Sequence, residues 1–229
     1  MLFDFAIIGF GVIGVETLHG IKKILLQDKH KNKSKIQIAI IEKNLKNIPG
    51  GVAYSQENSK FGYFNNPLRL SHPDFIKWFN LSDNKKKLID FSKNNINFNL
   101  SQWLKNNELI LEKQFKDYKE IYLPRLVYSF YLKDRINEFL NIKKKINISL
   151  KFYKGEANDL KNDNYYNIFP KKLFNEFTIN LDKNNFILKK QKYNNLKIIK
   201  SKKLVIGTGI VPPKKIYETI IHKNSNYIW

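Results

Sequence analysis

No cysteine occurs in the 229 residues, and there is one methionine and three arginines, Arg69, Arg125 and Arg135. Without cysteine there is no disulfide, iron–sulfur cluster, thiolate zinc site or redox-active dithiol, and a reducing compartment is the natural setting. The four histidines, His19, His30, His72 and His222, show no close metal-ligand spacing, which points to packing or surface roles. Long apolar runs are also missing, and nothing approaches the roughly 20 residues of a bilayer-spanning helix. The amino terminus lacks a basic segment and its apolar stretch is broken by Asp4 and Gly9, so it does not read as a signal peptide. These absences lead to the expectation of a cytoplasmic protein with no membrane partner.

The scarcity of arginine bears on the charge. A formal net charge of +21 suggests a nucleic-acid partner. The lysines, however, run along the whole chain and alternate with Asn and Ile, as in residues 27–35, 141–148 and 189–203. The bidentate guanidinium fork on which base and phosphate readers rely is nearly absent. Nucleic acid therefore ranks last among the partners considered, and a solvated surface whose field attracts small phosphate-bearing ligands accounts better for the charge.

What is present is core-forming material: 42% hydrophobic and 14% aromatic residues, far from a disordered composition. Residues 3–8 read as a short buried strand stopped by glycine. Val15, Leu18, Ile21, Ile24 and Leu25 then recur at helical spacing. Residues 36–42, Ile-Gln-Ile-Ala-Ile-Ile-Glu, are a second apolar strand ending in a carboxylate. Strand, helix and strand in this order make a βαβ unit over residues 1–45 with a parallel sheet. A turn-rich, partly helical insertion follows over 46–140, with helices expected at 75–81 and 126–140. Over 147–213 the pattern predicts a strand at 147–155 and a small β-meander of segments 177–181, 185–190 and 197–200. Turns at 182–184 and 194–195 separate these segments, and a last strand at 203–206 follows. One domain accommodates all 229 residues.

The motif with chemical content is Gly9-Phe10-Gly11-Val12-Ile13-Gly14, placed after a strand and opening a helix. Its glycines suit a tight turn, close approach to a diphosphate, and close helix–strand packing. The helix N-terminus adds unpaired N–H groups and partial positive charge. Glu42, with Lys43 beside it, ends the second strand, where a carboxylate can accept hydrogen bonds from two ribose hydroxyls and repel a 2′-phosphate. The interval from the motif to Glu42 is long because residues 27–35 form an inserted loop. Tyr54, Trp78 and Trp103 could face a flat ring, although core packing is the commoner role of large aromatics. No Gly-x-Ser-x-Gly elbow accompanies His72 and Asp74.

Five segments in order resemble the bacterial FAD/NAD(P)-binding proteins related to flavin-dependent monooxygenases, a group that includes FAD-dependent urate hydroxylases. They are residues 6–14; Gly50-Gly51-Val52-Ala53-Tyr54-Ser55; Phe64-Asn65-Asn66-Pro67 with Leu70-Ser71 and residues 75–79; Tyr122-Leu123-Pro124-Arg125 with Tyr131-Leu132; and residues 204–213 around Gly207-Thr208-Gly209. The resemblance implies an α/β fold: a Rossmann-like FAD/NAD(P)-binding domain with a central parallel sheet, helices on both faces and a small β-meander. It implies FAD as cofactor, held by Gly9, Phe10, Gly11, Val12, Ile13, Gly14, Glu42, Lys43, Gly50, Gly51, Arg125, Ala157, Gly207, Thr208 and Gly209, with NAD(P)H as a reductant. Arg125 would stand near the diphosphate or the isoalloxazine, and Ala157 near adenine. Two positions depart from the family pattern: Ser129 stands for a glycine, and Gly207 for an alanine.

The late Gly-Asp segment and the second nucleotide region of such proteins have no counterpart before Trp229. The expectation is therefore a chain lacking a C-terminal half that a partner chain could supply. The leading reading is an FAD-dependent, monooxygenase-like oxidoreductase of unknown small-molecule substrate. The alternatives are a non-catalytic or truncated nucleotide-binding subunit and a basic nucleic-acid-binding protein.

Overall fold

The computed structural model describes residues 1–27, 35–107, 120–142, 145, 147–182 and 185–209. The inserted loop at 28–34, the expected turn at 183–184 and the segment 210–229 lie outside these residues. At the centre is an eight-stranded sheet of order β4-β5-β8-β1-β2-β3-β6-β7. Its strands are β1 (Leu2–Ile8), β2 (Ile36–Glu42), β3 (Ile148–Lys154), β4 (Ala157–Asn162), β5 (Tyr166–Pro170), β6 (Phe174–Asp182), β7 (Asn185–Leu196) and β8 (Ile199–Ile206). The four middle strands, β8, β1, β2 and β3, run parallel, and an antiparallel hairpin flanks them on each side.

β1 and β2 sit inside the parallel group because both their faces are apolar, as strands covered on two sides must be. In β2, Ile38 and Ile40 enter one buried cluster while Ala39 and Ile41 enter the other, the two-residue alternation of a pleated strand. The first cluster lies under the helices α1 (Val12–Gln27), α2 (Gly51–Tyr54), α3 (Pro73–Asn80), α4 (Ser82–Lys93), α5 (Asn99–Asn106) and α6 (Arg125–Ile142). Val15 and Leu18 of α1 meet Leu126, Tyr131 and Ile136 of α6 there. Among the described residues, every helical member of the core belongs to this cluster. The second cluster is built from strands alone, with Phe3, Tyr153, Ile168, Phe174 and Ile199 at its heart. Among the described residues the helices pack on one face of the sheet, and the buried cluster on the other face is built from strand side chains.

The expected meander is corrected. Segments 177–181 and 185–190 pair as the β6–β7 hairpin, but residues 199–200 of the third segment and the closing segment 203–206 belong to one strand, β8. It lies beside β1, with β1, β2, β3 and β6 between it and β7. The cause is apolar pairing: Leu204, Val205 and Ile206 run parallel to Ala6, Ile7 and Ile8, a stronger site for them than a sheet edge. The turn expected at 194–195 is also absent, since Asn195 pairs with Asn175 inside β7.

Trp78 and Trp103 are core residues, each 7% exposed. The Trp78 indole stacks on Phe75 and donates to Asp134 Oδ2 at 2.9 Å. No helix among the described residues is long and apolar enough to cross a membrane.

Candidate functional site

The parallel strands end together, and four chain segments meet at that edge. β1 stops at Ile8 and turns at Gly9, whose φ of 87° suits glycine. The Gly9 N–H donates to the Ile41 carbonyl at 2.8 Å, and the Gly207 N–H donates to the Ile8 carbonyl at 2.7 Å. A methyl group on Gly9 would overlap the Gly207 carbonyl oxygen, and one on Gly207 would come within 3.1 Å of the Ile13 side chain. The Gly9 and Gly207 turns, near opposite ends of the described chain, are therefore in direct contact. β1 has its sequence neighbour β2 on one side and the distant β8 on the other, so the strand order reverses at β1. In open α/β sheets such a reversal opens a crevice at the carboxyl edge.

Helix α1 begins in that crevice. The Val15 N–H donates to the Gly11 carbonyl at 3.1 Å, and by helix geometry the N–H groups ahead of it point out of the first turn. The helix approaches β1 closely because position 14 is glycine: a Cβ there would lie 2.6 Å from the Gly9 carbonyl oxygen. Gly11 abuts Gly50 and Gly51, with a Cβ on Gly11 placed 3.4 Å from the Gly51 Cα. Gly50 and Gly51 have φ of 104° and 66°. The third segment, from Glu42 to Gly51, thus lies against the first.

Glu42 is fixed by the backbone. Its Oε2 accepts from the Phe10 N–H at 2.8 Å and its Oε1 from the Asn44 N–H at 2.9 Å. The Phe10 side chain is fully buried, edge-on to Phe152 at 5.1 Å, so this residue presents only main chain to the crevice. The fourth segment follows β3, where the Gly155 N–H donates to the Glu42 carbonyl at 3.1 Å. Glu156 pairs with the exposed Lys43 at 3.0 Å, and Ala157 opens β4 while packing on the second core cluster. Val12 packs partly on the first core cluster. Ile13, Val52 and Ile206, each more than half exposed, give the crevice an apolar rim. Thr208 and Gly209 are exposed beside it.

Arg125 is placed differently. It starts α6, with its N–H donating to the Gly62 carbonyl, its Nε to the Tyr63 carbonyl at 2.8 Å and its Nη2 to Asn65 Oδ1 at 3.1 Å. It braces the 62–65 segment, and its link to the glycine turns runs through Tyr128, whose ring meets Tyr54 of α2 at 5.1 Å. The expectation from sequence did not include the Asn44 N–H that holds Glu42 or the Gly155–Glu42 contact. Main-chain partners leave no signature in residue type.

Farther along α1 lies a buried polar layer. His19 is 6% exposed, and Arg135 Nη1 stands 3.5 Å from its Nδ1. Burial, with the positive charges of Arg135, Lys22 and Lys23, pushes the imidazole down to about 4, against a smaller opposing pull from Glu138. The ring is therefore neutral at neutral pH, and its 3.7 Å approach to Asp74 is a contact rather than an ion pair. Asp74 is held at about 2 chiefly by the hydrogen bond from Lys23 at 2.8 Å, with the charges of Lys23 and Arg135 adding to it. Burial raises the Tyr128 phenol well above its usual range and pushes Tyr131 up to about 12. No group of acidic or histidine side chains among the described residues is arranged to hold a metal ion.

Residues 6–169 match a family model described as FAD-NAD(P)-binding. No curated protein and no solved structure matches the chain.

Proposed function

Because the chain belongs to the FAD/NAD(P)-binding family, we propose that it is an FAD-dependent oxidoreductase of the monooxygenase-like kind, reduced by NAD(P)H. The observation that supports this reading is the contact between the Gly9 and Gly207 turns at the reversal point of the sheet, with Glu42 fixed at the end of the next strand. The residues suit the cofactor. Glycine backbone on two sides and the first turn of α1 make a cradle for a diphosphate, formed by Gly9, Gly11, Val12, Ile13 and Gly14 with Gly207, Thr208 and Gly209.

Glu42, its carboxylate oriented by the Phe10 N–H, accepts hydrogen bonds from the adenosine ribose hydroxyls. Gly50 and Gly51 let the chain lie flat along the cofactor without side-chain interference. Lys43 and Ala157 border the adenosine end. Ile13, Val52 and Ile206 exclude water from the flanks. Arg125 holds the 62–65 segment as the outer wall. When bound, FAD supplies the redox chemistry, taking up a hydride and passing electrons to oxygen or substrate.

The test is uptake of FAD by the purified chain, followed by its visible absorbance after free flavin is removed. Glu42→Ala is expected to weaken uptake by about tenfold or more, the effect of losing one charged hydrogen-bonding partner. A wild-type chain that stays colourless with excess FAD would overturn the proposal. A second reading, a binding subunit whose reacting groups come from a partner chain, is supported by the character of the crevice: its carboxylates Glu42 and Glu156 are already engaged, by main chain and by Lys43. That reading predicts nucleotide binding without NAD(P)H oxidation, and turnover by the isolated chain would exclude it.

A further inference from the structure

Beside Glu42, on the side away from the glycine turns, the sheet edge opens into a cleft of about 640 Å³. Five of its ten lining residues are lysines, Lys43, Lys154, Lys171, Lys172 and Lys190, whereas lysine and arginine together make up 41 of the 229 residues. General basicity does not explain this concentration. A second cleft of about 580 Å³, between α3, α4 and α6, sets Lys87 and Lys133 against Asp134 and Glu138. Among the described residues that line the first cleft, the sole carboxylate is Glu156, which is engaged by Lys43.

The lysines come from separate parts of the chain that the sheet brings together. Lys43 follows β2, and Lys154 ends β3 opposite Asn175 of β6. Lys190 of β7 lies opposite Phe177 of β6. Lys171 and Lys172 form the β5–β6 turn, anchored where the Lys171 N–H donates to the Glu156 carbonyl at 2.9 Å. Several ammonium groups around one concavity repel one another and focus a positive potential into it, which a multiply charged anion relieves. Lysine acts as a point charge toward phosphate rather than as a directional fork, so this wall suits a flexible chain of phosphates. Leu173 and Phe177 complete the lining with an apolar and an aromatic surface, against which a flat base can pack. The volume lies within the range of small-molecule sites.

We propose that this cleft binds a nucleoside triphosphate at a site next to that of the cofactor held at the glycine turns. The triphosphate lies among Lys154, Lys171, Lys172 and Lys190 and the base lies on Phe177, with Lys43 on the border between the two sites. This site does not depend on the identity of the cofactor.

The experiment is calorimetric titration of the full chain with ATP and with inorganic triphosphate, with and without saturating FAD. Binding of both is expected, tighter for ATP, and weaker as salt is raised. Lys171→Gln with Lys172→Gln is expected to reduce ATP affinity by about tenfold or more, with FAD uptake unchanged. Lys86→Gln with Lys105→Gln, which removes the same charge from exposed helical positions, is expected to leave ATP affinity within about twofold. Phe177→Leu should narrow the difference between ATP and triphosphate. Three results would overturn the proposal: no binding of either compound, equal weakening by the two double variants, or displacement of ATP by FAD in direct competition. A chain that takes up no FAD but binds ATP in the lysine-dependent way retains this site while losing the flavin reading.

Discussion

A methyl group added at Gly9, Gly14 or Gly20 meets three different surroundings. At Gly9 it meets a backbone at φ 87° and the Gly207 carbonyl, and at Gly14 the Gly9 carbonyl oxygen at 2.6 Å and the Phe10 ring at 2.9 Å. At Gly20, inside α1, nothing lies within 4 Å. Gly9→Ala and Gly14→Ala are expected to destabilise the fold by about 1–3 kcal/mol each, through strain and overpacking. Gly20→Ala is expected to stabilise it by about 0.5–1 kcal/mol through helix propensity. Urea unfolding of the three variants checks the order, and a Gly14→Ala chain as stable as the parent would contradict the close helix–strand approach.

His19 makes a pH prediction at the same scale. Its folded value, about 4, lies below its ordinary 6.5. The unfolded chain therefore binds the proton first, and stability present above pH 6.5 is lost as pH falls toward about 4. Asp74, at about 2 against 3.8, adds a second loss below that window, as pH falls from 3.8 to about 2. Denaturant midpoints measured across this range should decline in both windows, and His19→Gln should flatten only the upper one.

At the scale of elements, α1, α3 and α6 are joined by one guanidinium. Arg135 of α6 reaches Asp74 of α3 at 3.1 Å, donates to the Tyr131 hydroxyl at 2.8 Å and stands over the Tyr131 ring, and it lies beside His19 of α1. Its side chain is only 11% exposed. Arg135→Met should cost about 3 kcal/mol, because it removes one partner from a largely buried charged group. The double change Arg135→Met with Asp74→Asn should cost less than the two single changes summed. Strict additivity in unfolding measurements would show that the contact carries no coupling. Sequence reading finds α1, α3 and α6 from their apolar spacing but not α4 or α5. In α4 only Leu88 and Asn84 are buried in a lysine-rich stretch, too narrow a stripe to register as amphipathic. In α5, Leu100, Trp103 and Leu104 form a sound stripe, but eight residues is short for a pattern to declare itself.

Across the whole molecule the net charge of +21 opposes compaction through self-repulsion. Raising ionic strength from about 0.02 M to about 0.3 M shortens the screening length below the spacing of many surface lysines, so the thermal midpoint should rise. An unchanged midpoint would mean that local carboxylate partners, such as Glu156 for Lys43 and Asp4 for Lys202, already neutralise the field.

Local chemistry along the chain was sufficient to determine the βαβ unit, the glycine turn that opens α1 and the carboxylate that ends β2. Each depends on residue type at short range: apolar alternation, freedom at positive φ, and a charge at a strand end. Only the tertiary structure decided that β8 lies beside β1 rather than in a meander and that the Gly207 turn touches Gly9. It also decided that Arg125 braces residues 62–65 and that lysines from four segments line one cleft. These depend on which apolar surfaces bury one another across long sequence separations, and a linear pattern does not encode that choice residue by residue.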